Sequence, residues 1–351
     1  MKKYLSLRTA NDKVSFLVDR RALFLTSIFF IILLVAFFIS AGIGEDYISP
    51  WQIISILSGQ GSDFDTLIVQ SFRMPRILLA ILVGMSLAVA GAIIQAVVRN
   101  PLASPDIIGI TGGASVAIVL FLALFSDMNH SLTISINWMP LAAFIGAAFV
   151  AFLLYVLAWK KGVSPVRLVL VGIGLWSLTK ALTNLFMILG PIYQASQANI
   201  WLTGSVSTAD WKKIQIAAPI ILLLLILSFI MVRTLNIQDF GEEIVIGLGS
   251  KVQQQRLFLL LISTALIGTA VAFAGGIGFV GLMAPHIARK LVGSSFGALL
   301  PLSALIGAIL VLIADTIGRT LFLPIEVPAG IFTAAIGAPY FIFLLYKQRK
   351  V

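Results

Sequence analysis

Few side chains in this sequence could do chemistry, and their spacing excludes most of it. Among 351 residues there are two histidines, fourteen carboxylates and no cysteine. Without cysteine there is no thiolate nucleophile, thiolate metal site or disulfide framework. His130 and His286 stand far apart with no carboxylate ligand nearby, so they do not make a metal site. Gly276-Ile277-Gly278-Phe279-Val280-Gly281 fits G-x-G-x-x-G, but it lies between apolar runs with no strand–turn–helix context for a dinucleotide. Small residues there suit close helix packing or a helix break. Gly241–Lys251 has the look of a phosphate loop and lacks G-x-x-x-x-G-K-[ST]. The chain thus predicts no catalytic residue, no metal, no cofactor and no nucleotide site.

What remains is charge in unusual places. Arg73 and Arg76, in Arg73-Met74-Pro75-Arg76, sit at the mouth of an apolar run, and Arg319 ends another, four residues after Asp315. Long basic side chains at such mouths either snorkel to lipid headgroups or form a positive docking site for carboxylates. Asp315 is a candidate neutralising partner for Arg319. Lys180 lies inside an apolar run, where a charge is by default a functional-site hypothesis. The run Arg99-Asn100-Pro101-Leu102-Ala103-Ser104-Pro105-Asp106 is flanked by Gly91, Gly109, Gly112 and Gly113. It is either an ordinary loop or broken backbone inside a membrane, which is tolerated only when buried in protein or lining a water-filled cavity.

The elements that must hold these residues follow from composition. Hydrophobic residues make up 60% of the chain and charged residues 11%, against about 25% charged in a soluble domain. A bilayer is the solvent that such a surface fits, and there the backbone must bond to itself. The apolar runs are long and continuous, which predicts helices rather than the alternating segments of a β-barrel. Ten spans are expected, near Ala22–Ala41, Ile77–Val98, Ile107–Phe125, Met139–Trp159, Leu168–Leu189, Ile214–Val232, Leu257–Ala274, Phe279–Leu291, Leu299–Leu321 and Val327–Tyr346. The fold class is therefore all-α and polytopic. With both tails inside, most of the 24 basic residues fall on the inner face, leaving Arg73, Arg76, Lys212, Lys213 and Arg319 outside and Lys180 within a span. An even span number puts both basic tails on one side. The net charge of +10 then reflects membrane orientation rather than nucleic acid.

Residues 1–21 read as a basic cytoplasmic tail, 22–346 as one transmembrane domain and 347–351 as a cytoplasmic tail. Ser49–Leu57 is expected as a short interfacial helix, and Trp201–Trp211 carries aromatic ends suited to headgroups. The inner connector from Leu235 to Arg256 is long and polar for a helical bundle, which marks it as functional. An internal repeat is indicated at an offset of about 184 residues: Gly84, Gly91, Pro101, Gly109 and Gly113 fall on Gly268, Gly275, Pro285, Gly293 and Gly297. The matching segments begin in spans two and seven, which run in opposite directions, as inverted transporter repeats do.

Together these motifs resemble the permease family of iron–siderophore, haem and vitamin B12 ABC importers. The resemblance runs from span one to the C-tail. It rests on Arg73-Met-Pro-Arg76; Gly91 through Gln95; Arg99-Asn-Pro-Leu-Ala103 with Pro105; Gly278-Phe-Val-Gly281 with Pro285-His286; Ala314-Asp315 with Arg319; and Pro328-Ala-Gly330 with Gly337-Ala-Pro339. It implies two permeases, identical or paralogous, around a central pathway, with two cytoplasmic ATPase subunits below and an extracytoplasmic substrate-binding protein above. It implies that Arg73, Arg76 and Arg319 meet glutamates of that binding protein. It also implies that 235–256 is a cytoplasmic coupling segment with its turn at Gly241 beside Glu242. Gly91, Gln95, Asn100, Pro101, Pro105, Gly278, Gly281 and Pro285 are the candidates for the pathway and the helix breaks. Lys180 and the unusually basic N-tail depart from the family's pattern.

The function expected is the permease subunit of an ATP-driven importer of ferric siderophores in a bacterial cell membrane, with hydrolysis on other subunits and no enzyme activity of its own. Vitamin B12 or haem is the alternative cargo. A stand-alone secondary transporter is the alternative from another class. It would need coupling-ion carboxylates inside the bundle, where Asp315 stands alone.

Overall fold

The computed structural model describes residues 4–8, 15–106, 108–126, 133–160, 162–190, 192–238, 245, 247, 249 and 251–348. Each apolar run forms a helix, and local chemistry starts and stops it. Helix α1 (Arg20–Gly42) opens on Asp19, whose carboxylate accepts the Arg21 N–H at 2.8 Å. The short α2 (Pro50–Leu57) has a capping box between Ser49 and Gln52 and Pro50 in its first turn. The turn α3 (Asp63–Thr66) leads through a π-helical stretch, Leu67–Arg73, into α4 (Met74–Val98). Pro75 has no N–H to return to the preceding turn, and the Met74 N–H reaches five residues back to Val69. Next come α5 (Ile110–Leu124), α6 (Met139–Ala158), α7 (Pro165–Leu189) and α8 (Ile192–Thr203). Then follow α9 (Trp211–Ile230), α10 (Val232–Gln238) and α11 (Val252–Ala274). The chain closes with α12 (Val280–Val292), α13 (Phe296–Thr320) and α14 (Ala329–Gln348).

All ten expected spans are helices. Among the described residues, eight helical segments are long and apolar enough to cross a membrane. The other two, α5 with 15 residues and α12 with 13, are only about 20 Å long and cannot cross a core of about 30 Å unaided. Each starts from broken backbone, 99–109 and 275–279 respectively. Further elements were not foreseen. Strands β1 (Tyr4–Arg8) and β2 (Ser15–Asp19) pair antiparallel ahead of the all-helical membrane domain. The connector after span five contains helix α8 rather than an open loop.

Helices α4, α11 and α13 form the centre: 67–78% of their apolar windows is buried, against 17–28% for α1, α6, α7, α9 and α14. The outer helices keep exposed faces rich in leucine, isoleucine and phenylalanine, as lipid contact requires. The packing repeats with α4, α5, α6 and α7 standing for α11, α12, α13 and α14. Helix α4 packs on α13 and α12, and α11 packs on α6 and α5. Likewise α5 lies on α6 and α7 where α12 lies on α13 and α14. Gly84 and Gly268 occupy equivalent crossings, facing Gly307 of α13 and Phe144 of α6. Beyond them the fixed offset fails: Gly91 lies inside α4 whereas Gly275 already begins the second break, and the break 275–279 is shorter than 99–109. Pro101 is therefore an exposed turn residue while Pro285 is buried within α12.

Lipid tails are as apolar as leucine, so helices associate here through close packing of small residues. At the α4–α13 crossing a Cβ on Gly84 would strike the Gly307 carbonyl, and one on Gly307 would strike that of Gly84. Neither backbone can yield as a flexible side chain could. Gly84→Ala should therefore destabilise the protein by about 1–3 kcal/mol, seen as a lower melting temperature in detergent. Gly297→Ala, whose added methyl meets only Val232 at 3.8 Å, should leave it unchanged.

Candidate functional site

Two constellations emerge, one at the N-terminal end of α4 and one where the breaks meet. The first brings Arg73, Arg76 and Arg319 together from distant sequence. Arg73, buried, donates to the carbonyls of Ala41 at 2.7 Å, Gly42 at 3.2 Å and Asp46 at 2.6 Å. Arg319 donates to the carbonyls of Ile43 at 2.8 Å and of Ser40, and to the Ser40 hydroxyl at 3.1 Å. These are mostly the last carbonyls of α1, which have no intrahelical donor. Two arginines from other helices thus cap α1 and meet the negative end of its dipole.

Arg76 does something different. Its Nε lies 2.9 and 3.0 Å from the two Asp315 oxygens, and its Nη2 lies 2.9 Å from Asp315 Oδ1. Its Nη1 donates to both oxygens of Glu326, at 3.0 and 2.9 Å. Asp315 is 1% exposed, whereas Glu326 is 48% exposed. The expected Asp315–Arg319 pairing is thus corrected: Asp315 pairs with Arg76 of α4, while the Arg319 guanidinium turns to α1. Glu326, in the α13–α14 connection, carried no sequence signal because only the fold brings it to Arg76.

The second constellation lies inside the bundle. Gly91 of α4 faces Gly281 of α12 so closely that a Cβ would strike the Gly281 carbonyl. A Cβ on Gly281 would lie 2.8 Å from Pro105 and 2.9 Å from the Leu87 carbonyl. Gly91, Pro105 and Gly281 therefore form one crossing. Beside it the Asp106 carboxylate accepts from the Phe279 N–H at 3.4 Å and from Thr111 Oγ1 at 3.3 Å, so the two breaks meet. Gly278 lies against the same carboxylate. Gln95, buried, donates to the Leu282 carbonyl at 3.4 Å. Pro285 is buried in α12 one turn further in.

Asn100 and Pro101 stand apart from this crossing. They are exposed at the end of α4, where Arg99 is left-handed with φ 54° and the Asn100 side chain accepts from the Leu102 N–H at 2.9 Å. Helix α8 seals the second break from outside. The Ser205 N–H reaches the Ala274 carbonyl at 2.8 Å, and the Gly330 N–H reaches that of Gly204 at 3.0 Å. Gly275, at φ 69°, leaves no room for a side chain beside the Trp201 carbonyl. Asp106 and Gly204 were not singled out from sequence. An aspartate between Pro105 and an apolar run was the available signal for the first. Gly241 and Glu242 lie outside the described residues, as does His130. Among the described residues no group of three or more His, Cys, Asp or Glu could hold a metal ion.

A bundle of ten helices, with two half-length helices starting from breaks that meet in its interior, defines a membrane transport protein. Residues 32–347 match the FecCD transport family. The chain belongs to that family. It is 61% identical over 312 residues to the probable siderophore transport system permease protein YfhA of Bacillus subtilis, covering 89% of this chain and 91% of that one. It is 43% identical over 330 residues to the iron(3+)-hydroxamate import system permease protein FhuG of the same organism, covering 94% and 98%. A solved structure described as an inward-facing conformation of a metal-chelate type ABC transporter superposes with a TM-score of 0.81 at 30% identity, over 92% of this chain and 98% of that one.

The Arg76–Asp315 pair joins α4 to α13 in a nearly dry site. Removing one partner of a buried pair strands the other's charge, at a cost of about 3–5 kcal/mol. Arg76→Met, which leaves the buried Asp315 without its partner, should therefore lower the melting temperature sharply. The double change Arg76→Met, Asp315→Leu should recover most of the loss, because the one charge left without its partner, Glu326, is half-exposed to water.

Proposed function

We propose that this chain is the permease subunit of an ABC importer carrying ferric-siderophore complexes inward across a bacterial cell membrane. The family match over nearly the whole chain, with a 61% identical relative named as a siderophore transport permease, carries this reading. Both basic tails face the cytoplasm. A second permease, identical or paralogous, completes the pathway. Two ATPase subunits bind inside and a substrate-binding protein docks outside. The permease alternates between outward and inward cavities, and the ATPases drive the exchange.

The arginine cluster is the docking point in this reading. Arg76 is its exchangeable member: the half-exposed Glu326 holds one edge of its guanidinium, where an incoming carboxylate could take over. Arg73 and Arg319 anchor the end of α1 beside it. Gly241 and Glu242 belong to the coupling segment that meets the ATPases in this reading, where glycine would tolerate a turn that other residues avoid.

The complete complex, reconstituted in proteoliposomes with both ATPases and the binding protein, should take up radio-iron siderophore only with ATP. No uptake of any iron chelate would overturn the reading. Arg76→Glu should abolish binding-protein docking in a pull-down at low ionic strength. Glu326→Gln should strengthen docking, up to about fivefold, by removing a competing carboxylate worth about 1 kcal/mol at most. Gly241→Val should uncouple ATP hydrolysis from uptake while docking survives.

A further inference from the structure

Lys180 has no place in the site described so far. It lies on α7 nine residues, about 14 Å, from the outer end at Leu189 and about 22 Å from Pro165. A lysine side chain extends only about 6 Å, so it falls well short of either end of the helix. It is exposed, its Nζ stands 5.2 Å from the centre of the Trp176 ring, and it has no carboxylate partner among the described residues. An exposed, unpaired ammonium at this depth needs water.

Its neighbours on the helix support that. Trp176, Thr179, Lys180, Thr183 and Asn184 follow i, i+3, i+4, i+7, i+8 spacing and so share one face. The opposite face carries Leu178 and Leu185, both exposed and apolar. The polar face opens on a cavity of about 270 Å³ that also includes Asp106 from the first break, Thr111 and Ser115 from the start of α5, and Gly276 from the second break. Asp106 is the cavity's one acidic group, and its oxygens are turned to the Phe279 N–H and Thr111 hydroxyl. The accessible charge is therefore the positive one. The larger cavity of about 590 Å³, bordered by α6, α9 and α11, is lined mainly by apolar side chains and touches neither break.

The geometry points to this face of α7 as the wall of a water-filled path, with Lys180 as a specificity residue that binds an anionic group, carboxylate or catecholate, of the metal chelate in transit. This rests on the importer reading above and adds the charge class of its cargo. Arginine would keep the charge, whereas methionine would keep the length and lose it.

Two measurements test the proposal on the full complex in proteoliposomes. The chain has no cysteine, so Lys180→Cys and Leu178→Cys each carry a single thiol. The membrane-impermeant anion sulfonatoethyl methanethiosulfonate should label position 180 at least about tenfold faster than position 178. Equally slow rates at the two positions would place Lys180 away from water and overturn the proposal. Uptake is then compared for radio-iron as citrate, tris-catecholate and trishydroxamate chelates. Lys180→Met should cut uptake of the anionic chelates about tenfold or more, as loss of one charge-assisted contact implies. Lys180→Arg should restore it to within about threefold, and any hydroxamate uptake should be unmoved. Unchanged anionic uptake in Lys180→Met, or a wild type that carries hydroxamates alone, would overturn the assignment. A wild type that carries no chelate would overturn the importer reading, and this cargo with it, while the labelling would still report whether the face is wet.

Discussion

Backbone that leaves the helical ladder inside a bilayer must find its hydrogen bonds in protein, because lipid offers none. Most of the interior answers to that constraint. The second break, 275–279, is satisfied by Asp106 at the Phe279 N–H and by the end of α8 at Ala274 and Gly276. Helix α8 must in turn be held, and the Gly204 carbonyl accepts from Gly330 at the start of α14. Breaks, connector and last span are thus one hydrogen-bonded unit. The close crossings at Gly91, Gly281 and Pro105 bring the partners within reach, and a single side chain there would part them.

The same constraint explains the outer arginines. Helix α1 ends with carbonyls that need donors near a surface poor in water. Arg73 and Arg319 supply them from the start of α4 and the end of α13. Arginine suits this task because its planar fork carries five donors and keeps its charge. The cluster therefore combines structural anchoring by two arginines with, at Arg76, a buried pair with Asp315 beside a half-exposed one with Glu326.

The duplicated packing sets where asymmetry is allowed. The two halves share their helix partners but not the length of their breaks. The longer first break carries Pro105 and Asp106 deep into the molecule, against Gly281 and Phe279 of the second half. The cavity below Lys180 exists because α5 starts late and α7 runs past the gap with a polar face. A strictly symmetric pair of halves would not have left it.

Periodicity, length and apolar content were enough to place the ten helices expected as spans and the short α2, because these depend on local composition and on the thickness of a bilayer, but they left the run before Pro105 open between a loop and a break. The positions of Arg73, Arg76 and Arg319 at span mouths were legible for the same reason, and so was the oddity of Lys180. The partners were not. That Asp315 holds Arg76 rather than the nearer Arg319, that Glu326 joins them, and that Asp106 meets Phe279 depend on which helices cross and at what height. The fixed repeat offset was read correctly only as far as Gly84 and Gly268, because Gly91 is still inside α4 where Gly275 has already left α11. Span chemistry is encoded residue by residue, but hydrogen-bond partners separated by 173 to 250 positions are chosen by the three-dimensional packing of glycines against backbone, and only the tertiary structure contains that choice.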